Sequence, residues 1–311
     1  MVSDLPQLLG DAGAMVMAHT AFIAICGAIV FSGVAKGIER WAKILMPGLF
    51  CILGVLFLVS IQLDGFSKAL DFLFAPDFSK ITWAAILEAV GHSFFTLSLG
   101  MGAMITYGSY LPKNSRLPRV AFTIIFLDTA IALTAGLIMF SIVFSHGGSV
   151  AAGPGLMFST MPKLFASMQG SYFLFVGFFS LVAFAAITSG MSLLEVSVSY
   201  LVDRFRIARH KATVLVAGSV WVVGLLCALS FNLLKGFPVD FFNLLDKTTS
   251  NILMPAGGIV VTLFFGFKVQ PDEISKVMGL RGPLLHVFLW TVRLVAPVAI
   301  SVVMGMGILD W

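Results

Sequence analysis

The sequence has little charge: of its 311 residues only 11% are Asp, Glu, Lys or Arg, whereas 59% are hydrophobic. Soluble domains carry about a quarter charged residues, so this composition excludes a soluble enzyme with a hydrated surface and a disordered chain. The net charge of +4 does not indicate a nucleic-acid partner, because the basic residues lie in short connections between apolar runs. The composition indicates an integral membrane protein.

Cysteine and catalytic motifs are also scarce. The three cysteines, Cys26, Cys51 and Cys227, lie far apart without metal-ligand spacing, and are predicted to be small buried hydrophobic residues. The sequence has no H-E-x-x-H, G-x-S-x-G or Walker A motif. We therefore expect neither an enzyme nor an organic cofactor.

Eight apolar runs are long enough to cross a bilayer core of about 30 Å, which needs about 20 helical residues. They do not alternate polar and apolar residues as membrane-barrel strands do, so helices are predicted. The predicted fold is all-α, a polytopic membrane helix bundle in a single domain, 1–311, with spans at approximately 13–35, 43–63, 84–111, 120–144, 171–202, 212–231, 243–267 and 284–309.

The basic residues predict the orientation of these spans. Connections 36–43, 112–119, 203–211 and 268–281 hold thirteen of the 19 Lys and Arg, so they are predicted to be cytoplasmic. Both termini would then lie outside, although the first twelve residues carry two Asp and no cation. We expect an odd number of helices upstream of this chain; the alternative is an eight-helix protein with an outside N-terminus.

The two long outer loops, 64–83 and 145–170, are rich in Phe, Leu and Met. They are predicted to form surface helices over the outer mouth, with plain connectors as the alternative.

The third span combines hydroxyl and glycine residues at mid-depth: Thr96, Ser98, Gly100 and Gly102. Glycine weakens a helix by about 1 kcal/mol relative to Ala, and a broken span is tolerated where freed backbone groups face protein or a water-filled cavity. Such a break offers carbonyl oxygens to a cation and amides to a carboxylate. The alternative is close helix packing through small residues.

Other polar residues lie within spans. Asp128 is near the centre of the fourth, where a carboxylate costs about 2.5–3.5 kcal/mol unless it is paired, protonated or bound to a cation. The fifth span contains three hydroxyl residues, Thr188, Ser189 and Ser192. Their oxygens are suited to bind an alkali cation; the alternative is that the hydroxyls only donate hydrogen bonds to backbone carbonyls of their own helix.

Further ionisable residues lie in spans. Asp246 is interpreted as an extracellular gate or as a helix-capping carboxylate. Glu88, Glu195 and His92 are predicted to be hydrogen-bonded structural residues.

The stretch GHSFFTLSLGMGAMITYGSYL at 91–111 resembles the sixth transmembrane helix of the neurotransmitter:sodium symporter family, the LeuT-like transporters. The resemblance continues in KGIERWAKILMP, where Gly37 and Pro47 bracket nine residues as in the family's fifth helix. It extends to AITSGMS in the eighth helix and DKTTSNILMPAGG in the tenth. This resemblance covers essentially the whole chain and implies that its eight spans are helices four to eleven of the inverted-repeat fold, without helices one to three.

The resemblance also implies roles for individual residues. Thr96 and Asp128 would bind one sodium ion, and Ala185 (through its carbonyl), Thr188 and Ser189 a second. The substrate pocket would include Phe95, Ser98, Met101, Ser189 and Leu193. Asp246 would be the acidic half of the outer gate, and its Arg partner would belong to the family's first helix.

The function implied is sodium-coupled symport of a hydrophobic or neutral amino acid by alternating access, in a prokaryotic cytoplasmic membrane. The expected partners are sodium ions, an amino acid and the lipid bilayer. The sequence does not decide whether the chain forms a homo-oligomer. Because each ion cage would be incomplete, we expect the 311 residues alone to be inactive. The alternative is a non-transporting subunit that assembles with a separately encoded helical partner; a passive channel is disfavoured, because the polar groups cluster at mid-depth.

Overall fold

The computed structural model describes residues 5–75, 77–112, 115–147, 155–166, 171–235 and 240–309. Within these ranges every regular element is helical. The helices are α1 Leu5–Gly10, α2 Ala12–Phe31, α3 Val34–Ile61, α4 Phe66–Phe74, α5 Trp83–Thr96, α6 Ala103–Ser109, α7 Leu117–Ser145, α8 Met161–Ala166, α9 Ser171–Phe205, α10 Arg209–Ser230, α11 Phe241–Lys268, α12 Pro271–Met278 and α13 Pro283–Leu309.

Seven of these helices are long and apolar enough to cross a membrane: α2, α3, α7, α9, α10, α11 and α13. The predicted all-α membrane bundle is therefore confirmed. The eighth predicted span, 84–111, is not among the seven, because it is divided into the shorter helices α5 and α6. Residues 97–102 separate the two, so the break predicted from the glycines of this span is confirmed.

The segment 36–43, predicted as a connection between two spans, is helical. Helix α3 begins at Val34 with a π-helical turn that runs to Glu39. A Cβ atom at Gly37 would lie 1.9 Å from the carbonyl oxygen of Ile29 in α2. Only glycine allows this approach, so Gly37 permits α3 to begin directly beside the end of α2.

The structure divides into two compact units. The first unit comprises Met1–Pro76 and Ala130–Phe242. In it α2 packs against α9 and α10, and α3 packs against α9. Part of its core is formed by buried apolar side chains of α3, α7, α8 and α9: Leu53, Leu56, Ile138, Ile142, Val143, Met161, Phe165 and Phe178.

The described parts of the two long loops contain helices. In the loop 145–170, Met161 and Phe165 of α8 are 0% and 1% exposed, so these two side chains contribute to the core. That this loop forms a surface helix over the outer mouth stays a prediction. In the loop 64–83, the Gly65 amide donates to Ser145 Oγ at 2.8 Å, and Phe72 of α4 packs edge-on against Phe140 at 4.9 Å between ring centroids. Residues 148–154 and 167–170 lie outside the described ranges.

The second unit comprises Asp77–Thr129 and Asn243–Trp311. Here α13 packs against α11 and α5. The Asn251 side chain donates to the Gly307 carbonyl at 2.7 Å, and Arg293 Nε donates to the Gly266 carbonyl at 2.5 Å. The two bonds tie α13 to α11 and join residues 56 and 27 positions apart in the sequence, a pairing that helical periodicity does not predict.

The cysteine prediction holds for one residue of three. Cys26 is wholly buried and Cys227 is half-buried. Cys51 is exposed in the protein alone, so the prediction is wrong there. The residue lies on α3, and a membrane-spanning helix can present an apolar thiol to lipid without the cost that water would impose.

Candidate functional site

The end of α5 forms the first half of the break in the interrupted span. The amide of Leu99 donates to the Phe94 carbonyl at 2.8 Å, and the amide of Ser98 donates to the Phe95 carbonyl at 3.1 Å. These are the two bonds of a Schellman motif. Its left-handed residue is Ser98, with φ +52°, although glycine is the usual residue at this position. A non-glycine residue in this conformation costs about 1–2 kcal/mol, and such strain clusters at functional sites.

Gly100 lies at the centre of the break, with φ +81°. A Cβ atom at this position would lie 2.1 Å from the carbonyl oxygen of Met254 in α11. On the other side of the same contact, a Cβ atom at Gly257 would lie 2.3 Å from the Gly100 carbonyl oxygen. The main chains of the break and of α11 therefore touch directly, and each side of the contact requires glycine.

Sequence reasoning missed the part that Gly257 plays in this contact. The signal was present in MPAGG, where two glycines follow a proline inside an apolar span. A π-helical turn, Thr249–Leu253, directly precedes this segment. Single π turns inside α-helices are frequent at functional sites, and here the turn comes just before the part of α11 that meets the break.

A cavity of about 900 Å³ in the second unit lies beside α5, α11 and α13. Its lining includes Phe95, Glu88, His92, Asn251 and Met306. Glu88 and His92 are exposed, and neither side chain has a hydrogen bond or ion pair within the described ranges. The prediction that both are bonded structural residues is therefore wrong, because the helix face that carries them borders this cavity rather than another helix.

Asp128 lies in α7 and belongs to the second unit, as do Phe95, Thr96, Ser98, Met101 and Asp246. Its side chain is half-buried. Among the residues that the structure describes, none forms an ion pair or hydrogen bond with its carboxylate. An unpaired carboxylate within a span is costly in lipid; the role of Asp128 as a sodium ligand stays a prediction.

The other candidate residues, Ala185, Thr188, Ser189 and Leu193, lie on α9 in the first unit. The Thr188 hydroxyl donates to the Ala185 carbonyl at 2.8 Å, and the Ser192 hydroxyl donates to the Thr188 carbonyl at 2.7 Å. The Thr188 oxygen keeps its lone pairs, and the carbonyl keeps a second one. Two oxygens of the predicted second sodium site are thus adjacent within one helical turn, while Ser189 and Leu193 are exposed.

Helix α2 packs directly beside this cluster. A Cβ atom at Gly190 would lie 2.9 Å from Cys26 Sγ and 2.9 Å from Phe22. One turn and a half further along α9, Glu195 is 0% exposed and pairs with Arg209 of α10 through the two terminal guanidinium nitrogens, Nη1 and Nη2. The prediction that Glu195 is a bonded structural residue is confirmed.

Asp246 is the sixth residue of α11, which begins at Phe241. The interpretation as a helix-capping carboxylate is wrong, because Asp240 accepts from the Phe242 amide at 3.1 Å at the actual start of the helix. Asp246 is exposed. Its role as an outer gate stays a prediction.

The comparisons with known proteins bear on the whole chain. A family model described as the sodium:neurotransmitter symporter family matches residues 1–311. The sodium-dependent transporter YhdH of Bacillus subtilis (strain 168) is 36% identical over 293 residues, which are 92% of this chain and 65% of that protein. A sodium-dependent transporter of Haemophilus influenzae is 33% identical over 302 residues, 95% of this chain and 66% of that protein.

Among solved structures, the crystal structure of MhsT in complex with L-phenylalanine is similar, with a TM-score of 0.85 and 35% identity. The similarity covers 97% of this chain and 70% of MhsT. The chain thus spans about two thirds of the length of these relatives. They are transporters, so the prediction that the chain is not an enzyme is confirmed. With seven apolar helices long enough to cross a membrane, the chain is a multi-pass membrane protein, and it belongs to the sodium:neurotransmitter symporter family.

Proposed function

We propose that this chain forms the main part of a sodium-coupled symporter of hydrophobic or neutral amino acids, working by alternating access. The observation that carries the proposal is the interrupted span, in which Ser98 and Gly100 hold left-handed conformations at mid-span. A span broken in this way presents main-chain groups to a bound solute and its coupling ion. Both carboxylate and ammonium groups of an amino acid are suited to such main-chain partners.

For the ions, we propose two groups of ligands. Thr96 and Asp128 in the second unit would hold the first sodium ion, and the Ala185 carbonyl, Thr188 and Ser189 in the first unit the second. Oxygen ligands of this kind suit hard cations. Because Asp128 supplies a negative charge directly, we propose that transport needs no chloride.

For the substrate, the support is the similarity to MhsT, whose structure contains L-phenylalanine. Phe95, Ser98 and Met101 around the break, with Ser189 and Leu193 on α9, would line the pocket. Methionine is flexible and polarizable and adapts to different apolar shapes, so Met101 supports a pocket for several hydrophobic side chains. Asp246 would close the outer side.

We further propose that the 311 residues do not transport alone, because they span 65% of the length of YhdH and would supply only part of each cage. The test therefore uses the chain co-expressed with a polypeptide that supplies the family's first three helices. The reconstituted pair is assayed in liposomes for uptake of radiolabelled L-phenylalanine. Uptake is expected with an inward sodium gradient and not with potassium, and the chain alone is expected to show none.

The role of Asp128 is tested in the same liposomes by Asp128→Asn, which should weaken the sodium dependence or make uptake require chloride. Asp272→Asn, at an exposed carboxylate in the first turn of α12, is the matched control and should change neither. Unchanged sodium dependence of Asp128→Asn with and without chloride would contradict the role of Asp128. Co-purification of the pair without any uptake would favour the non-transporting subunit.

A further inference from the structure

A second cavity of the second unit, of about 750 Å³, lies between the connection that follows α6 and the end of α12. Three basic residues line it: Arg116 and Arg119 at the start of α7, and Lys276 in the last turn of α12. The proposed transport function uses none of them. Both connections belong to the set predicted from their basic residues to be cytoplasmic.

The three cations of this cavity are exposed and not neutralised by a neighbour. Across the described ranges no carboxylate lies within ion-pair distance of Arg116, Arg119 or Lys276, whereas Lys43 and Arg209 each have such a partner. The acidic residues of α12, Asp272 and Glu273, lie in its first turn and do not line the cavity. Three like charges around one open cavity create a field that attracts an anion.

The start of α7 adds to this field. The amide of Val120 donates to the Arg116 carbonyl at 3.1 Å, which closes the first turn of a helix of 29 residues. The amides before it have no partner within the helix, and the positive end of the helix dipole lies there. Main-chain amides and guanidinium groups together are the usual partners of a phosphate group.

Apolar side chains border the same cations. Leu117 and Val277 line the cavity, and Val277 is 51% exposed. A free phosphate would bind the cations and leave these side chains in water, whereas a phospholipid would place its first acyl carbons against them. The combination of a cationic cavity and apolar walls on a membrane protein favours a lipid over a soluble anion.

We propose that the cavity lined by Arg116, Arg119 and Lys276 binds the phosphate headgroup of an anionic glycerophospholipid of the cytoplasmic leaflet. Anionic lipids give the cytoplasmic surface its negative potential, and basic pockets between helices on that side bind lipid headgroups. The bound lipid would hold the start of α7 next to the end of α12. The proposal goes beyond transport, and its test measures lipid binding alone, so it can fail independently of the proposed function.

The test titrates the purified 311-residue chain, in a neutral detergent, with dioctanoyl phosphatidylglycerol and counts bound lipid by native mass spectrometry. Dioctanoyl phosphatidylcholine and glycerol 3-phosphate are titrated in parallel to separate a lipid headgroup from a soluble phosphate. We expect phosphatidylglycerol to bind more tightly than either. Each of Arg116→Gln, Arg119→Gln and Lys276→Gln should weaken it about fivefold.

The matched control is Arg281→Gln, which removes one cation from the same connection as Lys276 but not from the cavity lining. It should change the affinity less than about twofold, because a charge outside the cavity acts only through screened solvent. All three cavity cations are exposed, so the variants should fold, and the helical circular-dichroism signal verifies this. The proposal is overturned if Arg281→Gln weakens phosphatidylglycerol binding as much as the cavity variants do. It is also overturned if phosphatidylcholine or glycerol 3-phosphate binds as tightly as phosphatidylglycerol.

Discussion

Removing one member of the ion pair between Arg209 and Glu195 should destabilise the first unit more than removing both. The Glu195 side chain is 0% exposed and that of Arg209 is 25% exposed. Breaking a buried pair leaves an uncompensated charge and costs about 3–5 kcal/mol. Arg209→Leu removes the ion-pair partner of a carboxylate that has no access to solvent, so we expect a loss near this cost. Glu195→Leu leaves a guanidinium that can turn towards water, so we expect about 2–3 kcal/mol.

The double variant removes both charges together. It still loses the bond from Arg209 Nε to the Val30 carbonyl, which measures 3.0 Å. A single hydrogen bond of this kind contributes about 1 kcal/mol. We therefore expect the destabilisation to be largest for Arg209→Leu, smaller for Glu195→Leu and smallest for the double variant.

The labelling rate of Cys26 measures these differences. Cys26 is 0% exposed, and its thiol donates to the Ile187 carbonyl of α9 at 3.8 Å, so a maleimide reaches it only when this part of the unit opens. The other two cysteines are replaced by Ser in every sample. Because the unit must open before the maleimide reacts, lowering the free energy of opening by 3 kcal/mol makes modification of Cys26 about 150-fold faster.

The exposed pair of Lys43 and Glu39 provides the control for this cycle. Its side chains are 73% and 54% exposed, and such pairs contribute about 0.2–1 kcal/mol. Lys43→Leu should therefore accelerate labelling less than about fivefold. The reasoning is refuted if Cys26 is labelled as fast in the double variant as in Arg209→Leu. The buried charge of Glu195 would then not be the cause of the destabilisation.

Three further changes test the break, the contact between α11 and α13, and the predicted second sodium site. Gly100→Ala should destabilise the second unit by at least about 2 kcal/mol, seen in thermal melting, because φ is +81° there and the new Cβ meets the Met254 carbonyl. Asn251→Leu should cost about 1 kcal/mol in the same assay, because it removes the 2.7 Å bond to Gly307. Thr188→Val should change the melting temperature little, since one hydroxyl bond in a membrane contributes about 0.6 kcal/mol, but should abolish any increase in stability produced by sodium.

Gly100→Ala has its control in the helix that follows the break. Gly108→Ala in α6 should be neutral or stabilising, because no atom lies within 4 Å of the new Cβ. Equal losses for Gly100→Ala and Gly108→Ala would show that helix propensity, not the contact with α11, decides the outcome. A sodium-dependent increase in stability that survives Thr188→Val would contradict the ligand role of that hydroxyl.

The spans and the break were predictable because their signals are local. Long apolar runs determine where helices cross the membrane, and Ser98, Gly100 and Gly102 concentrate helix-weakening residues in one turn. The Schellman end of α5 depends on the same short segment. Thr188 could likewise be placed near the Ala185 carbonyl, because residues three apart share a helix face.

Other features depended on contacts between distant segments. The early start of α3 rests on the approach of Gly37 to Ile29, and the burial of Phe165 rests on its position against α9. The part played by Gly257 required knowing that α11 passes beside the break. A single sequence gives the residue types at these positions but not which main chain lies opposite.

The contact between Gly100 and Gly257 also bears on how the region around the break can diversify. Because main chain meets main chain at this contact, neither glycine can be replaced by a slightly larger residue. Variation must instead fall on the flanking positions, such as Phe95 and Met101. A saturation library across 94–104 should therefore recover almost nothing but glycine at 100 and a broad set of residues at 95 and 101.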